Sequence, residues 1–134
     1  MATFKIKVVT YEEMILEQEA DYVLVRTTEG DMGILPNHAP FIAGLSTGEM
    51  AIRLGDKEEK YFVSEGLVEI SNNVVTIIAS EAIPADQLDV EREKKEVERL
   101  KAKLAKLQED KDILLTQKNL RQALIRVQVA EKML

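Results

Sequence analysis

Phe4, Ile6 and Val8 alternate with Lys5 and Lys7, the period of two that gives a strand one apolar and one wet face. Tyr22 to Thr27, Met50 to Leu54, Tyr61 to Ser64, Leu67 to Ile70 and Val74 to Ala79 repeat the pattern. Between these runs stand turn signals: Gly30 with Asp31, Pro36-Asn37, Gly55-Asp56 and Asn72-Asn73, the last suited to a hairpin because Asn tolerates positive φ. Short strands at close spacing predict a β-sandwich or flattened antiparallel barrel.

The pattern changes after Pro84. All 6 Gly, all 3 Pro and every aromatic residue lie at or before that position, and the remainder is dominated by Ala, Leu, Glu, Lys, Gln and Arg, the strongest helix formers. Val90, Val97, Leu100, Leu104 and Leu107 lie along one heptad-spaced seam; Ile113, Leu120, Leu124 and Val127, extended by Leu134, lie along another. Asp110-Lys111-Asp112 separates the two, with Asp112 as the expected N-cap. The prediction is a C-terminal antiparallel helical hairpin, each helix of about 22 residues and roughly 33 Å. Two domains follow, residues 1–84 and 85–134.

Charge sharpens the division. The net charge is −6, but residues 1–84 hold 6 Lys or Arg against 14 Asp or Glu, and residues 85–134 hold 12 against 10. An acidic chain of this kind argues against nucleic acid as the main partner, since phosphate binding draws on clustered cations. The hydrophobic fraction of 46% excludes disorder throughout. No apolar run approaches the ~18 residues of a membrane span, and Lys5 and Lys7 lie inside the first apolar pattern rather than ahead of one, so a soluble chain without an export signal is expected.

Catalytic chemistry is nearly absent. With one His and no Cys there is no His-His metal pair and no Cys-His dyad, and no glycine-rich phosphate loop occurs. Glu65, Glu69 and Ser80 read as solvated strand positions. The chain is expected not to be an enzyme, with no catalytic or metal-binding residue and no required cofactor. One stretch stands out: Gly30-Asp31-Met32-Gly33-Ile34-Leu35-Pro36-Asn37-His38-Ala39-Pro40, read as a long inter-strand loop in which His38 pins the backbone by hydrogen bonding.

That stretch, the order of segments, the length, Leu88-Asp89-Val90-Glu91-Arg92 and Val129-Ala130-Glu131 together resemble the epsilon subunit of bacterial F-type ATP synthases, called delta in mitochondria. The resemblance covers the whole chain. It implies a rotor subunit of the central stalk, in a proton- or sodium-translocating synthase, peripheral on the cytoplasmic face of the bacterial plasma membrane. In such proteins the sandwich packs on the gamma subunit and on the ring of c subunits. Glu29, Gly30, Asp31 and Met32 are then the expected c-ring contacts, and Thr10 and His38 the expected gamma contacts.

The hairpin of the family is a regulator that folds compactly or extends into the catalytic alpha/beta hexamer and stops hydrolysis. On this resemblance Lys118, Arg121, Arg126 and Lys132 are candidate inhibitory contacts. Some relatives bind ATP as a regulatory ligand, and the corresponding residues here are Glu81, Leu88, Asp89, Arg92, Arg99 and Arg126. Antiparallel pairing would bring Arg126 near Arg92 and Arg121 near Arg99. The family motif ends in Arg-Ala where this chain has Arg92-Glu93, and an arginine of tight binders is Gln122, so weak ATP binding or none is expected. The alternative reading is a free-standing interaction adaptor with a coiled-coil arm.

Overall fold

The computed structural model describes residues 2–107 and 109–133 and separates the chain into two compact units, Met1–Pro84 and Ala85–Leu134. The first unit holds ten strands: β1 Phe4–Val9, β2 Met14–Ala20, β3 Tyr22–Thr27, β4 Gly30–Ile34, β5 Phe41–Leu45, β6 Gly48–Leu54, β7 Lys57–Val63, β8 Gly66–Ser71, β9 Val74–Ala79 and β10 Ala82–Pro84. They run in the order β10-β7-β6-β3-β5-β8-β9-β1-β2, with β4 on β3. β1 pairs parallel with β9, whereas the other described pairs are antiparallel.

Alternation decides which side chains fill the interior. Phe4, Ile6 and Val8 of β1 are buried with Val23 and Val25 of β3, Ile52 of β6, Val68 and Ile70 of β8, and Val75 and Ile77 of β9. Most of their neighbours along the strands turn outward, although Ala51 beside Ile52 is buried too. The β8–β9 turn uses Asn72 and Asn73 at φ of 52° and 59°, the left-handed region Asn enters more readily than most side chains. Asn73 also fastens the sheet's end: its Oδ1 accepts the Asn37 amide at 2.8 Å and its Nδ2 donates to the Thr3 carbonyl at 2.9 Å.

Several strands depart from the sequence expectation. Gly30–Ile34, read as the start of a loop, is the strand β4, registered from Val23↔Ile34 to Thr27↔Gly30; only the residues from Leu35 to Pro40 are irregular. The pairing of β4 with β3 overrides two glycines and an aspartate. Met14–Ala20, Phe41–Leu45 and Ala82–Pro84 are further strands beyond the predicted set.

The second unit opens with a 3₁₀ turn at Ala85–Gln87, followed by α1 Val90–Leu104 and α2 Asp110–Glu131. Asp89 caps α1, its carboxylate accepting the Arg92 amide at 3.2 Å. At 15 residues α1 is shorter than expected, because reversing direction uses up helix-forming residues after Leu104. α2 starts earlier than expected. Glu109 is its N-cap residue and Asp112 lies inside the first turn, where it meets the positive helix end without serving as the cap. The hairpin core is small: Val97, Leu100 and Ala123 are buried, with Leu120 and Val127 packed against them. Leu124, expected in the seam, is 40% exposed, and Ala123 takes its place. Leu134, the last position of the expected seam, lies outside the described residues. Among the described residues, no helix is long and apolar enough to cross a membrane.

Candidate functional site

Residues paired directly across neighbouring strands share a face, so the register identifies what the sandwich shows to its surroundings. Gly44 of β5 lies opposite Leu67 of β8, Leu67 opposite Ile78 of β9, Ile78 opposite Val9 of β1, and Val9, at a bulge, opposite Met14 of β2. This is an uninterrupted outward row of apolar side chains and one glycine across five strands. Ile42, two residues along β5 on the same face, widens it. Ile42, Met14 and Leu67 are 64%, 51% and 44% exposed, which makes the row an unfilled apolar surface rather than a second core.

Thr10 and His38 flank this row in the chain. Thr10 follows Val9, and its hydroxyl accepts the amides of Glu12 and Glu13, both at 3.4 Å, closing the turn into β2. His38 precedes β5. Its Nδ1 lies 2.7 Å from the Ala39 carbonyl, so that nitrogen carries the proton, and its ring meets Phe41 edge-on at 6.0 Å between centroids. The ring therefore holds the loop in shape as it enters β5.

The β3–β4 turn presents Glu29, Gly30 and Asp31 together. Thr27 Oγ1 donates to the Gly30 carbonyl at 2.7 Å and accepts the Glu29 amide at 3.2 Å, while Asp31 pairs with Arg26 at 3.1 Å. Gly30 has a φ of 118°, which L side chains rarely adopt. Met32 differs from its three neighbours. It is half-buried and packs against the sandwich core, so its side chain serves the fold rather than the tip of the turn.

In the hairpin Arg92, Arg99 and Arg126 gather around carboxylates. Arg126 Nε donates to Glu93 Oε2 at 2.9 Å, one residue from the expected neighbour Arg92. Arg99 grips Glu96 with two bonds, Nε to Oε2 at 3.0 Å and Nη2 to Oε1 at 2.6 Å. That bidentate bond, aided by the charges of Arg99, Arg126 and Arg92, holds the Glu96 carboxyl below its ordinary value, against the opposing effect of desolvation. Arg121 is exposed, as is Lys132, and Lys118 is half-buried. Leu88 and Asp89 instead line a separate cleft of about 830 Å³ with Lys94 and Glu131; Arg92, Arg99 and Arg126 are not among its described lining residues. Glu81 belongs to the sandwich unit, where its carbonyl accepts the Ser64 amide at 3.0 Å. Among the described residues, no group of acidic or His side chains is arranged to hold a metal.

The sandwich thus shows an exposed apolar row and a polar turn, and the hairpin carries a set of charged pairs. A family described as the beta-sandwich domain of the ATP synthase delta/epsilon chain matches residues 3–85. The chain belongs to this family. It is 52% identical, over 98% of its length and 96% of the relative's, to the sodium ion specific ATP synthase epsilon chain of Propionigenium modestum. It is 35% identical to the epsilon chain of Nitratidesulfovibrio vulgaris, over 92% of each chain. Among solved structures, a chain of the Euglena gracilis mitochondrial ATP synthase superposes with a TM-score of 0.75 at 26% identity, covering 99% of this chain and 80% of that one. A Tetrahymena thermophila ATP synthase chain shares the fold, with a TM-score of 0.59 at 13% identity. The family assignment displaces the adaptor alternative, and the chain is a non-catalytic stalk subunit of an ATP synthase.

Proposed function

We propose that the chain is a rotor element joining gamma to the c-ring, and that its hairpin restrains ATP hydrolysis. The observation that carries the reading is the outward row Gly44–Leu67–Ile78–Val9–Met14 with Ile42 beside it. An apolar face of this kind on a sandwich that already has its own core is suited to permanent burial against a partner subunit. Gamma is the proposed occupant, with Thr10 and His38 at the margins of the contact. The β3–β4 turn supplies polar groups at Glu29, Gly30 and Asp31 for the c-ring, and Met32 supports the turn from beneath.

The hairpin is suited to a brake because the apolar cluster between its helices is small: among the described residues it consists of Val97, Leu100 and Ala123, with Leu120 and Val127 packed against them. Leu114 and Leu115 on α2 are 66% and 58% exposed and offer apolar surface to the catalytic alpha/beta hexamer. Lys118, Arg121, Arg126 and Lys132 supply the cations for acidic segments of that hexamer. The membership of the complex places the chain peripherally, and we assign it to the cytoplasmic face of the bacterial membrane. The 52% identity to an epsilon chain called sodium ion specific supports sodium as the coupling ion of the assembly.

The test compares hydrolysis by the catalytic complex carrying either the full chain or a version ending at Ala85. Several-fold faster hydrolysis with the shortened chain supports the brake, and equal rates with both versions bound refute it. Leu67→Glu, at an outward position, is expected to abolish association with gamma while the sandwich stays folded; retained association would refute the docking face.

A further inference from the structure

We propose that the Glu93–Arg126 ion pair is a latch built into the hairpin, through which the chain's own carboxylate, rather than a bound anion, holds α2 on α1. This inference rests on the reading of the hairpin as an element that opens and closes. Both side chains of the pair are 14% exposed, whereas the other described ion pairs have partners between 21% and 76% exposed. Glu93 and Arg126 are 33 residues apart and on different helices, so their bond exists only when the hairpin is closed. The pair stands one helical turn from the core, with Glu93 four residues before Val97 and Arg126 three after Ala123.

The chemistry of a guanidinium explains what the latch does. Its fork of N–H donors fits a carboxylate or a phosphate alike, and which one it holds depends on what is present at the highest local concentration. A carboxylate tethered on the facing helix is always present, like the second site of a bivalent ligand. The neighbouring groups complete the neutralisation: Arg99 is bound by Glu96, and the charges of Arg92 and Arg126 also act on Glu96. The arginine cluster thus comes with its own counter-charges. Lys94 and Glu131 form a second bridge between the helices at 3.6 Å, but each is about half exposed, and screening by water leaves that bridge a minor contributor. Glu93 therefore occupies the Arg126 fork from the facing helix, and closure needs no nucleotide.

The natural chain has no Cys, so spin labels at Lys95→Cys and Gln128→Cys, both exposed positions, report the separation of α1 and α2 in the full chain. We expect one short-distance population, unchanged by millimolar Mg-ATP. Glu93→Ala and Arg126→Gln are expected to shift most molecules to a distance longer by about one helix diameter, roughly 10 Å or more. The exchanged pair, Glu93→Arg with Arg126→Glu, is expected to restore the short distance, which a loss of helix or of apolar packing would not allow. The proposal is overturned if Glu93→Ala keeps the native distance, if the exchanged pair stays open, or if the native chain closes only when ATP is added. These distances are read on the isolated chain, without hydrolysis, so their failure is distinct from failure of the brake.

Discussion

Replacing Leu100 by Ala tests how little holds the hairpin together. Leu100 is 2% exposed and shares its core with Val97 and Ala123. The substitution removes three carbons, worth about 2.4 kcal/mol at ~0.8 kcal/mol per buried methylene. Measured Leu→Ala changes in cores run to about 2.7–5 kcal/mol when a cavity persists, but two helices facing each other can close much of the gap, so the lower value applies. At about 1.4 kcal/mol per factor of ten, the equilibrium between closed and open hairpin shifts roughly 50-fold toward open. Amide hydrogen exchange followed by mass spectrometry reads that shift peptide by peptide. Protection of α1 and α2 should fall by roughly this factor, while amides of β1, β8 and β9, which belong to a separate core, keep theirs. Leu114→Ala is the control: Leu114 is 66% exposed, and its loss should change protection by less than about threefold. Unchanged protection in Leu100→Ala, or an equal loss in both variants, would refute the claim that this three-residue core holds the helices.

Gly66→Ala should damage the sandwich, because a Cβ at this position would lie 1.8 Å from the Ile78 carbonyl oxygen of the neighbouring strand. Forcing β8 and β9 apart costs about 2 kcal/mol or more, and thermal unfolding should show a Tm lower by roughly 10 °C. Asn73→Ala removes the partners of Asn37 and Thr3 and places Ala at positive φ; NMR should show faster amide exchange at Asn37, with Asn73→Gly losing the same bonds at less backbone cost. For Glu96, the folded-state pKa lies below the ordinary 4.5, so its contribution to stability is present above that value and is lost as pH falls through the depressed one. Helicity of the native chain should exceed that of Glu96→Gln at neutral pH, and circular dichroism should show the difference vanishing in acid; a difference that grows in acid would reverse the sign.

The alternating runs made the central strands legible, since Phe4, Ile6 and Val8 can share a face in only one way. β2 escaped because Glu17, Gln18 and Glu19 hide its period, and β4 because Gly30, Asp31 and Gly33 carry turn chemistry that pairing with β3 overrules. The helices were evident from composition, but their junction was not: residues 105–109 contain no Gly or Pro, so nothing in that stretch announces a reversal. The register nevertheless follows from antiparallel pairing: Arg126 bonds Glu93, the residue next to the Arg92 that such pairing brings near it. The apolar row depends on register across five strands, and only the pairing brings Leu67, Ile78, Val9 and Met14 into line.

The parallel pairing of β1 with β9 also orders events on the ribosome. β1 can form a hairpin with β2 as soon as both emerge, but its other edge waits for residues 74–79. At about 5 to 20 residues per second, the 64 residues between Val9 and Val74 take about 3 to 13 s to synthesise, during which the first strand has an open edge. Lys5 and Lys7 on that strand suit it to the wait, since charged side chains discourage pairing with a passing chain. The helices are translated last, onto a nascent chain that already contains every strand of its sandwich.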